Sequence, residues 1–150
     1  MLRQSQHTLN FITVGEGLLN ITAELNRALI SSGMQQGQVC LLCLHTSCSL
    51  TINENSDSRV LTDLSAHLQA LVPEEGFRSL SGRGPLRPYL HDDEGADDMP
   101  AHIRSSLTSS NLCLPFQAGR LVLGTWQAIY LWEHRSRPQR RQLCLQLIGE

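Results

Sequence analysis

The sequence contains no lysine, so arginine supplies all twelve of its basic residues. A chain without lysine cannot use a Schiff base, a P-loop lysine or a lysine general base. Arginine remains, and its planar guanidinium suits bidentate binding of phosphate or carboxylate. Charge is also scarce, since 17% of the residues are charged and the net charge is -2 at pH 7. A dedicated nucleic-acid-binding protein needs a basic face, so we expect no nucleic-acid partner.

Long apolar runs are missing as well. No segment approaches the roughly 20 residues that a membrane-spanning helix needs, and residues 1–10 lack the apolar stretch of a signal peptide. The cysteines are odd in number, at Cys40, Cys43, Cys48, Cys113 and Cys144. A disulfide framework is therefore not expected, and we predict a cytoplasmic protein with five reduced thiols. None is predicted to bind metal, because Cys40 and Cys43 would point to opposite faces of a strand.

The chain is predicted to form one domain, residues 1–150, because its apolar fraction of 41% is enough for a core. Alternating or short apolar runs predict strands, and apolar steps of three and four predict helices. The predicted strands are 6–14, 38–45, 111–116, 120–123, 126–135 and 142–148. The predicted helices are 18–32, one between Asp57 and Pro73, and one with Asp98 as its N-cap. This order predicts an α+β fold with about three helices on a largely antiparallel sheet.

Residues 73–97 are rich in glycine and proline and show no periodicity. A loop of this length inside one domain is usually functional or partly disordered. It ends in an acidic run, residues 91–98, for which a solvated loop is the ordinary interpretation. Alternatively, the carboxylates of Glu94, Asp97 and Asp98 hold a divalent cation or orient neighbouring histidines.

Three histidines are distinguished by their positions at the ends of predicted elements. His45 ends a strand, His91 lies at the tip of the long loop, and His102 falls in the first turn of a helix. Three imidazoles from separate segments are a common way to bind zinc while leaving one coordination position open. No two of them form a short ligand motif, so their spacing does not establish that they converge. His7 and His67 are predicted to be ordinary surface residues.

Two further patterns have both a structural and a functional interpretation. If residues 45–55 are extended, one face is apolar and the other carries a row of polar side chains. That row is either a solvated face or the floor of a polar cleft. The arginines Arg135, Arg137, Arg140 and Arg141 flank a predicted hairpin turn, where a solvated turn is favoured over phosphate binding.

Three blocks of the sequence resemble the YjbQ family, which is also called the UPF0047 or secondary thiamine-phosphate synthase family. The blocks are HTSCSLTINEN at 45–55, EGADDMPAHI at 94–103 and LGTWQAIYLWEHR at 123–135. They follow the family's order, and the similarity covers nearly the whole chain. The resemblance implies a compact α+β subunit with a mixed sheet, a homotrimer, and a metal site, typically with zinc, in a pocket that often holds an anion.

The same resemblance assigns roles to individual residues. It implies that His45, His91 and His102 are the metal ligands and that Gln127 and Glu133 line the pocket. His134 directly follows Glu133, at a position where similar family sequences can have another residue. The chain also departs from the family at Cys48, where alanine is common, and at Ala128, where glycine often follows the glutamine. Both changes are small and leave the ligand set intact.

We therefore expect a metal-dependent enzyme acting on a phosphorylated small molecule, with thiamine-phosphate synthase as the activity attached to the family. Glu94, Glu133 and Gln127 are the predicted catalytic residues, and Arg120 or Arg135 would neutralise the leaving group. A metal-dependent hydrolase with Glu94 or Glu133 as its base is one alternative. A non-enzymatic trimeric protein that binds metal or anions is another. Aromatic residues that alternate along one strand support a homotrimer: Trp126, Tyr130 and Trp132.

Overall fold

Leucines at every second position of the C-terminal strand build the centre of the protein. Leu143, Leu145 and Leu147 are fully buried, and Leu41 on a neighbouring strand is 2% exposed. This alternation places one face of an antiparallel sheet on the core. A computed structural model describes residues 1–150 and contains the three helices and antiparallel strands of an α+β fold, as predicted.

The elements alternate along the chain and form two antiparallel sheets. The strands are β1 (Arg3–Ile12), β2 (Gly17–Asn20), β3 (Gln36–Cys43), β4 (Cys48–Glu54), β5 (Asn111–Gln117), β6 (Arg120–Leu121), β7 (Gln127–Glu133) and β8 (Arg140–Gly149). The helices are α1 (Thr22–Ser32), α2 (Ser58–Leu71) and α3 (Asp98–Leu107). One sheet has the order β1-β8-β3-β5-β6 and the other the order β2-β7-β4.

The smaller sheet is buried on both faces along its central strand. Every residue of β7 after Gln127 is buried. One face joins the main core through Ile129 and Leu131, while α2 and α3 pack on β2 and β4. This sandwich brings the beginning of α3 next to the bend that precedes β4.

Four local predictions differ from the structure. The helix predicted from residue 18 begins at Thr22, because Gly17–Asn20 pair with β7 as a strand. The predicted strand 38–45 ends at Cys43, and residues 46 and 47 form a bend before β4 begins at Cys48. Asp98 is the first residue of α3 instead of its N-cap. The sheet expected to be mixed is two sheets in which every strand pair is antiparallel.

The long connection between α2 and α3 contains only one short antiparallel bridge, between Phe77 and Arg87. The ring of Phe77 stacks on that of Tyr89, with centroids 5.7 Å apart. This contact anchors the last part of the loop, which then leads to His91. None of the three helices has the length and apolar composition that crossing a bilayer requires.

Candidate metal centre

The beginning of α3 and the end of the long loop bring three metal-ligating side chains together. Asp98 and His102 are four residues apart and so project from the same face of the helix. His91 reaches them from the loop, and the ligand atoms of all three lie within 4.8 Å of one another. His91 Nε2 lies 2.9 Å from Asp98 Oδ2, and His102 Nε2 lies 3.5 Å from Asp98 Oδ1.

The backbone fixes the tautomer of His102. Its Nδ1 lies 3.0 Å from the carbonyl oxygen of Thr46, which can only accept a hydrogen bond, so Nδ1 carries the proton. In the neutral ring, Nε2 then directs its lone pair at the carboxylate of Asp98. Two acceptors that face each other need a cation between them, either a proton or a metal ion. A carbonyl that orients a histidine from behind in this way is a common feature of metal sites.

These three residues fit zinc in both chemistry and spacing. Two imidazoles and one carboxylate are a ligand set of catalytic zinc sites, which keep a fourth position open. Tetrahedral zinc with bonds of about 2.0–2.1 Å separates its ligand atoms by about 3.3 Å. His91 Nε2 and His102 Nε2 lie 2.9 Å and 3.5 Å from the two different oxygens of Asp98, and the three ligand atoms lie within 4.8 Å of one another, so a cation can be placed among them. Asp98 is 2% exposed, whereas His91 is exposed, so the open side faces solvent.

Arg135 holds Asp98 in place from the protein side. Its Nη1 donates to Asp98 Oδ1 at 2.7 Å, its Nε to Asp97 Oδ2 at 3.0 Å, and its Nη2 to the Glu94 carbonyl at 2.9 Å. Burial raises the pKa of Asp97, but hydrogen bonds from Ser136 and Arg135 outweigh it and bring that pKa down to about 2. Three carboxylates, those of Glu94, Asp97 and Asp98, surround this one arginine. Their negative charge exceeds the single positive charge of Arg135, so the surroundings of Asp98 favour binding of a further cation.

His45, the third predicted ligand, is not part of this group. Its Nε2 accepts a hydrogen bond from the backbone N–H of Gln142 at 2.8 Å. Burial, and then the charge of Arg141, lowers the pKa of His45 and so favours the neutral ring. The structure thus brings His91 and His102 together and supplies Asp98 where the resemblance implied His45.

Glu133 is bound so completely that no lone pair is left for proton transfer. Its carboxylate accepts from Arg141 Nε at 2.7 Å and Nη2 at 2.5 Å, from Thr13 Oγ1 at 2.8 Å, and from the N–H of Arg135 at 3.0 Å. It is 1% exposed and lines a cavity of about 260 Å³ with residues 12–19. Its geometry is that of a buried structural ion pair that joins β7 to β8.

The other two predicted catalytic residues, Gln127 and Glu94, are also not members of the group formed by His91, Asp98 and His102. Gln127 begins β7 and Glu133 ends it, so about 20 Å of strand separates them. The amide of Gln127 folds back onto its own turn and accepts from the N–H of Gly124 at 2.7 Å. Glu94 is on the correct side of the protein, but its side chain is 75% exposed and only approaches Arg135, at 3.6 Å.

Some of the arginines and aromatic residues singled out in the sequence are buried, and others lie on the surface. Arg141 is 4% exposed and Arg135 is tied to the carboxylates, so neither belongs to a solvated turn as predicted. Arg120 lies instead in a cleft beside α1. Tyr130 and Trp132 are buried within the chain, whereas Trp126 is 64% exposed and precedes β7.

His134 is the one histidine that is completely buried. Its Nε2 lies 2.8 Å from Ser49 Oγ, and its Nδ1 is buried without a hydrogen-bond partner. Burial, with a smaller effect from Arg104, lowers the pKa of His134 to about 4. The ring is therefore neutral at physiological pH and acts as part of the packing between β7 and β4.

The sequence matches a protein family over almost its whole length. Residues 7–150 match the family model described as UPF0047 protein YjbQ-like. The chain is 44% identical over 148 residues to the UPF0047 protein sll1880 of Synechocystis sp., covering 99% of this chain and 94% of that protein. It is 42% identical over 148 residues to the UPF0047 protein YjbQ of Salmonella typhimurium, covering 97% of this chain and 98% of that protein.

Solved structures share the fold. The conserved hypothetical protein TT1486 from Thermus thermophilus superposes with a TM-score of 0.77 at 34% identity, over 94% of this chain and 98% of that one. An uncharacterized protein of the yjbq/upf0047 family from Clostridium acetobutylicum gives a TM-score of 0.74 at 28% identity, over 95% of this chain and 98% of that one.

Proposed function

The chain belongs to the UPF0047 protein YjbQ-like family, and we propose that it is a metal-dependent enzyme acting on a phosphorylated small molecule. The observation that carries the proposal is the group of His91, Asp98 and His102, with the His102 tautomer set by the carbonyl of Thr46. Zinc is the proposed metal, because its preferred ligands and spacing fit this group.

The residues of the chain have separate tasks in this proposal. His91, Asp98 and His102 would hold the cation, and Arg135 positions Asp98 through its 2.7 Å hydrogen bond. A bound divalent cation would supply positive charge to the phosphate oxygens and to a departing pyrophosphate. We assign Arg135 a positioning role, because each of its three nitrogens already donates to Asp97, Asp98 or the Glu94 carbonyl and its side chain is only 13% exposed.

We propose thiamine-phosphate synthesis as the reaction class, in which a thiazole phosphate displaces pyrophosphate from a pyrimidine diphosphate. Such a transfer depends mainly on orienting two phosphorylated partners and on neutralising the leaving group. It needs no strong general base, in agreement with the complete hydrogen bonding of Glu133 and the exposure of Glu94. A metal-dependent hydrolase that uses either residue as its base is less well supported for the same reason.

We also propose that the protein is a homotrimer and that it is located in the cytoplasm. A homotrimer is supported by Trp126, a large side chain that is 64% exposed on the single chain and that a neighbouring subunit would cover. A cytoplasmic location is supported by five free cysteines, none of which forms a disulfide.

A non-enzymatic metal-binding protein is the alternative that the acidic surroundings favour, since carboxylates alone suffice to bind a cation. Zinc content and turnover of a panel of phosphorylated metabolites, measured on one preparation, separate the two functions. We expect bound zinc with turnover of few substrates, and loss of both in His102→Ala. Zinc without any turnover would support the alternative, and zinc-free protein that retains activity would overturn the metal assignment.

A further inference from the structure

Two cysteines face each other across neighbouring strands, far from the histidines in sequence. Cys40 on β3 is directly opposite Cys113 on β5 in the strand register. Their sulfur atoms are 2.8 Å apart. Both side chains lie on the outer face of the five-stranded sheet, because the residues on either side of Cys40, Val39 and Leu41, are buried in the core.

This pair differs from the other cysteines in its access to solvent. Cys113 is exposed and Cys40 is half-buried. Cys43 and Cys48 are also close, with sulfur atoms 3.0 Å apart, but they are 5% and 0% exposed. Cys144 is half-buried on the same outer face, and no sulfur atom lies within hydrogen-bonding distance of it.

The strand register satisfies the geometric demands of a disulfide. A disulfide joins residues whose Cα atoms are about 4.4–6.8 Å apart. Directly opposed residues of antiparallel strands have Cα atoms about 4.5 Å or 5.5 Å apart. The two sulfur atoms therefore reach bonding distance by side-chain rotation, without movement of the sheet.

We propose that Cys40 and Cys113 form a surface dithiol site that a small hydroperoxide oxidises reversibly to an intrachain disulfide. The thiolate of Cys113 attacks the distal peroxide oxygen, which breaks the O–O bond, forms a sulfenic acid and releases an alcohol or water. The sulfur of Cys40 then attacks the Cys113 sulfur, and the hydroxyl leaves as water with the Cys40 proton. Two thiols lose two electrons in total, and the peroxide gains them.

The order of the two steps follows from the surroundings of each thiol. The hydrogen bond with Cys113, and then burial, raise the pKa of Cys40. The raised pKa disfavours the thiolate of Cys40, and Cys113 is the more exposed of the two, so Cys113 meets the oxidant first. Reversible disulfides of this kind occur in reducing compartments, where stable structural ones are rare.

The test is oxidation of the folded, fully reduced chain with one equivalent of hydrogen peroxide. Denaturing thiol titration should fall from the five thiols of the sequence to three, and dithiothreitol should restore them. Tryptic mapping should join the peptide 28–59 to the peptide 105–120. Cys144→Ser is the matched control, because it removes a thiol from the same face and should still lose two.

Cys40→Ser should form no such link and should leave Cys113 as a sulfenic acid that a dimedone reagent labels. A crosslink confined to the peptide 28–59 would instead assign the reaction to Cys43 and Cys48 and overturn the proposal. Retention of all thiols by the wild-type chain, or a product linked through Cys144, would overturn it as well. Circular dichroism of each variant checks that the sheet is intact.

Discussion

His102 donates its Nδ1 hydrogen to the carbonyl oxygen of Thr46 at 3.0 Å and thereby turns its other nitrogen toward Asp98. The bond joins α3 to the bend before β4, so it exists only in the folded chain. A metal ion held by His102 and Asp98 would therefore bind the folded state in preference to the unfolded one.

Substitution of the three clustered residues should abolish metal binding. We expect His91→Ala, Asp98→Ala and His102→Ala each to remove most of the zinc that elemental analysis finds in the wild-type chain. The surface variants His7→Ala and His67→Ala are the controls and should leave the zinc content unchanged.

His45→Ala distinguishes the ligand set of the structure from the one that the resemblance implies. Its Nε2 is already occupied by the N–H of Gln142, so we expect this variant to retain zinc. Loss of zinc from His45→Ala together with full retention in Asp98→Ala would show that His45 is the third ligand.

Zinc should raise the thermal stability of the chain. At a free concentration 100 times its dissociation constant, a ligand that binds only the folded state stabilises it by about 2.7 kcal/mol. For a domain of this size, that corresponds to a rise in Tm of about 5–10 °C. Differential scanning calorimetry with and without a chelator measures it, and Asp98→Asn should show no shift in the same comparison.

Glu133 should prove necessary for stability. Glu133→Gln leaves Arg141 buried without its counter-charge, which costs about 3–5 kcal/mol of unfolding free energy. Glu94→Gln, at an exposed position, should change that free energy by less than about 0.5 kcal/mol. Urea denaturation measures both. A Glu133→Gln chain that is as stable as the wild type but inactive would point to a chemical role for this carboxylate.

His134 should make the fold sensitive to acid. Its pKa is about 4 in the folded chain against an ordinary value of 6.5, so the unfolded chain takes up a proton more readily between those values. Stability should fall as the pH drops from about 6.5 to about 4, by on the order of 3 kcal/mol from this residue. His134→Gln should flatten the slope in this window, and His67→Gln should not. An unchanged slope in His134→Gln would contradict the assignment.

The assembly should have three times the chain mass of 16.7 kDa. Light scattering at micromolar concentration measures it, and a single-chain mass would contradict the homotrimer. Trp126→Asp replaces the exposed ring with a charge and should lower the mass if that ring lies in the contact. Asp63→Asn on α2 is the control and should leave the assembly intact.

Much of the candidate site follows from local spacing, and the rest depends on the path of a loop. Asp98 and His102 are one helical turn apart, so the sequence alone places both on one face of α3. The position of His91 depends on how residues 73–97 fold back, and no periodicity predicts that course. The block at 45–55 contributes to the site through Thr46, whose carbonyl oxygen orients His102. The resemblance implied its neighbour His45 instead.

The burial of Arg141 could have been predicted from the alternation of apolar residues in β8, although arginine is usually a surface residue. Arg141 lies on the same face of β8 as the buried residues Leu143, Leu145 and Leu147, because side chains at every second position of a strand share a face. Alternation alone therefore assigns Arg141 to the interior. Gly17–Asn20 shows the opposite case. Four residues are too few to reveal a strand period, and only pairing with β7 decides their conformation.

The position of β8 between β1 and β3 determines when this protein can fold during synthesis. Both neighbours are made early, yet each bonds to a strand whose last residue is Gly149. At about 5–20 residues per second, β1 waits roughly 7–27 s for its partner to be completed. During that interval its edge is open to other chains. The larger sheet therefore cannot be completed until β8 has been synthesised, although the residues of β1 and β3 exist long before.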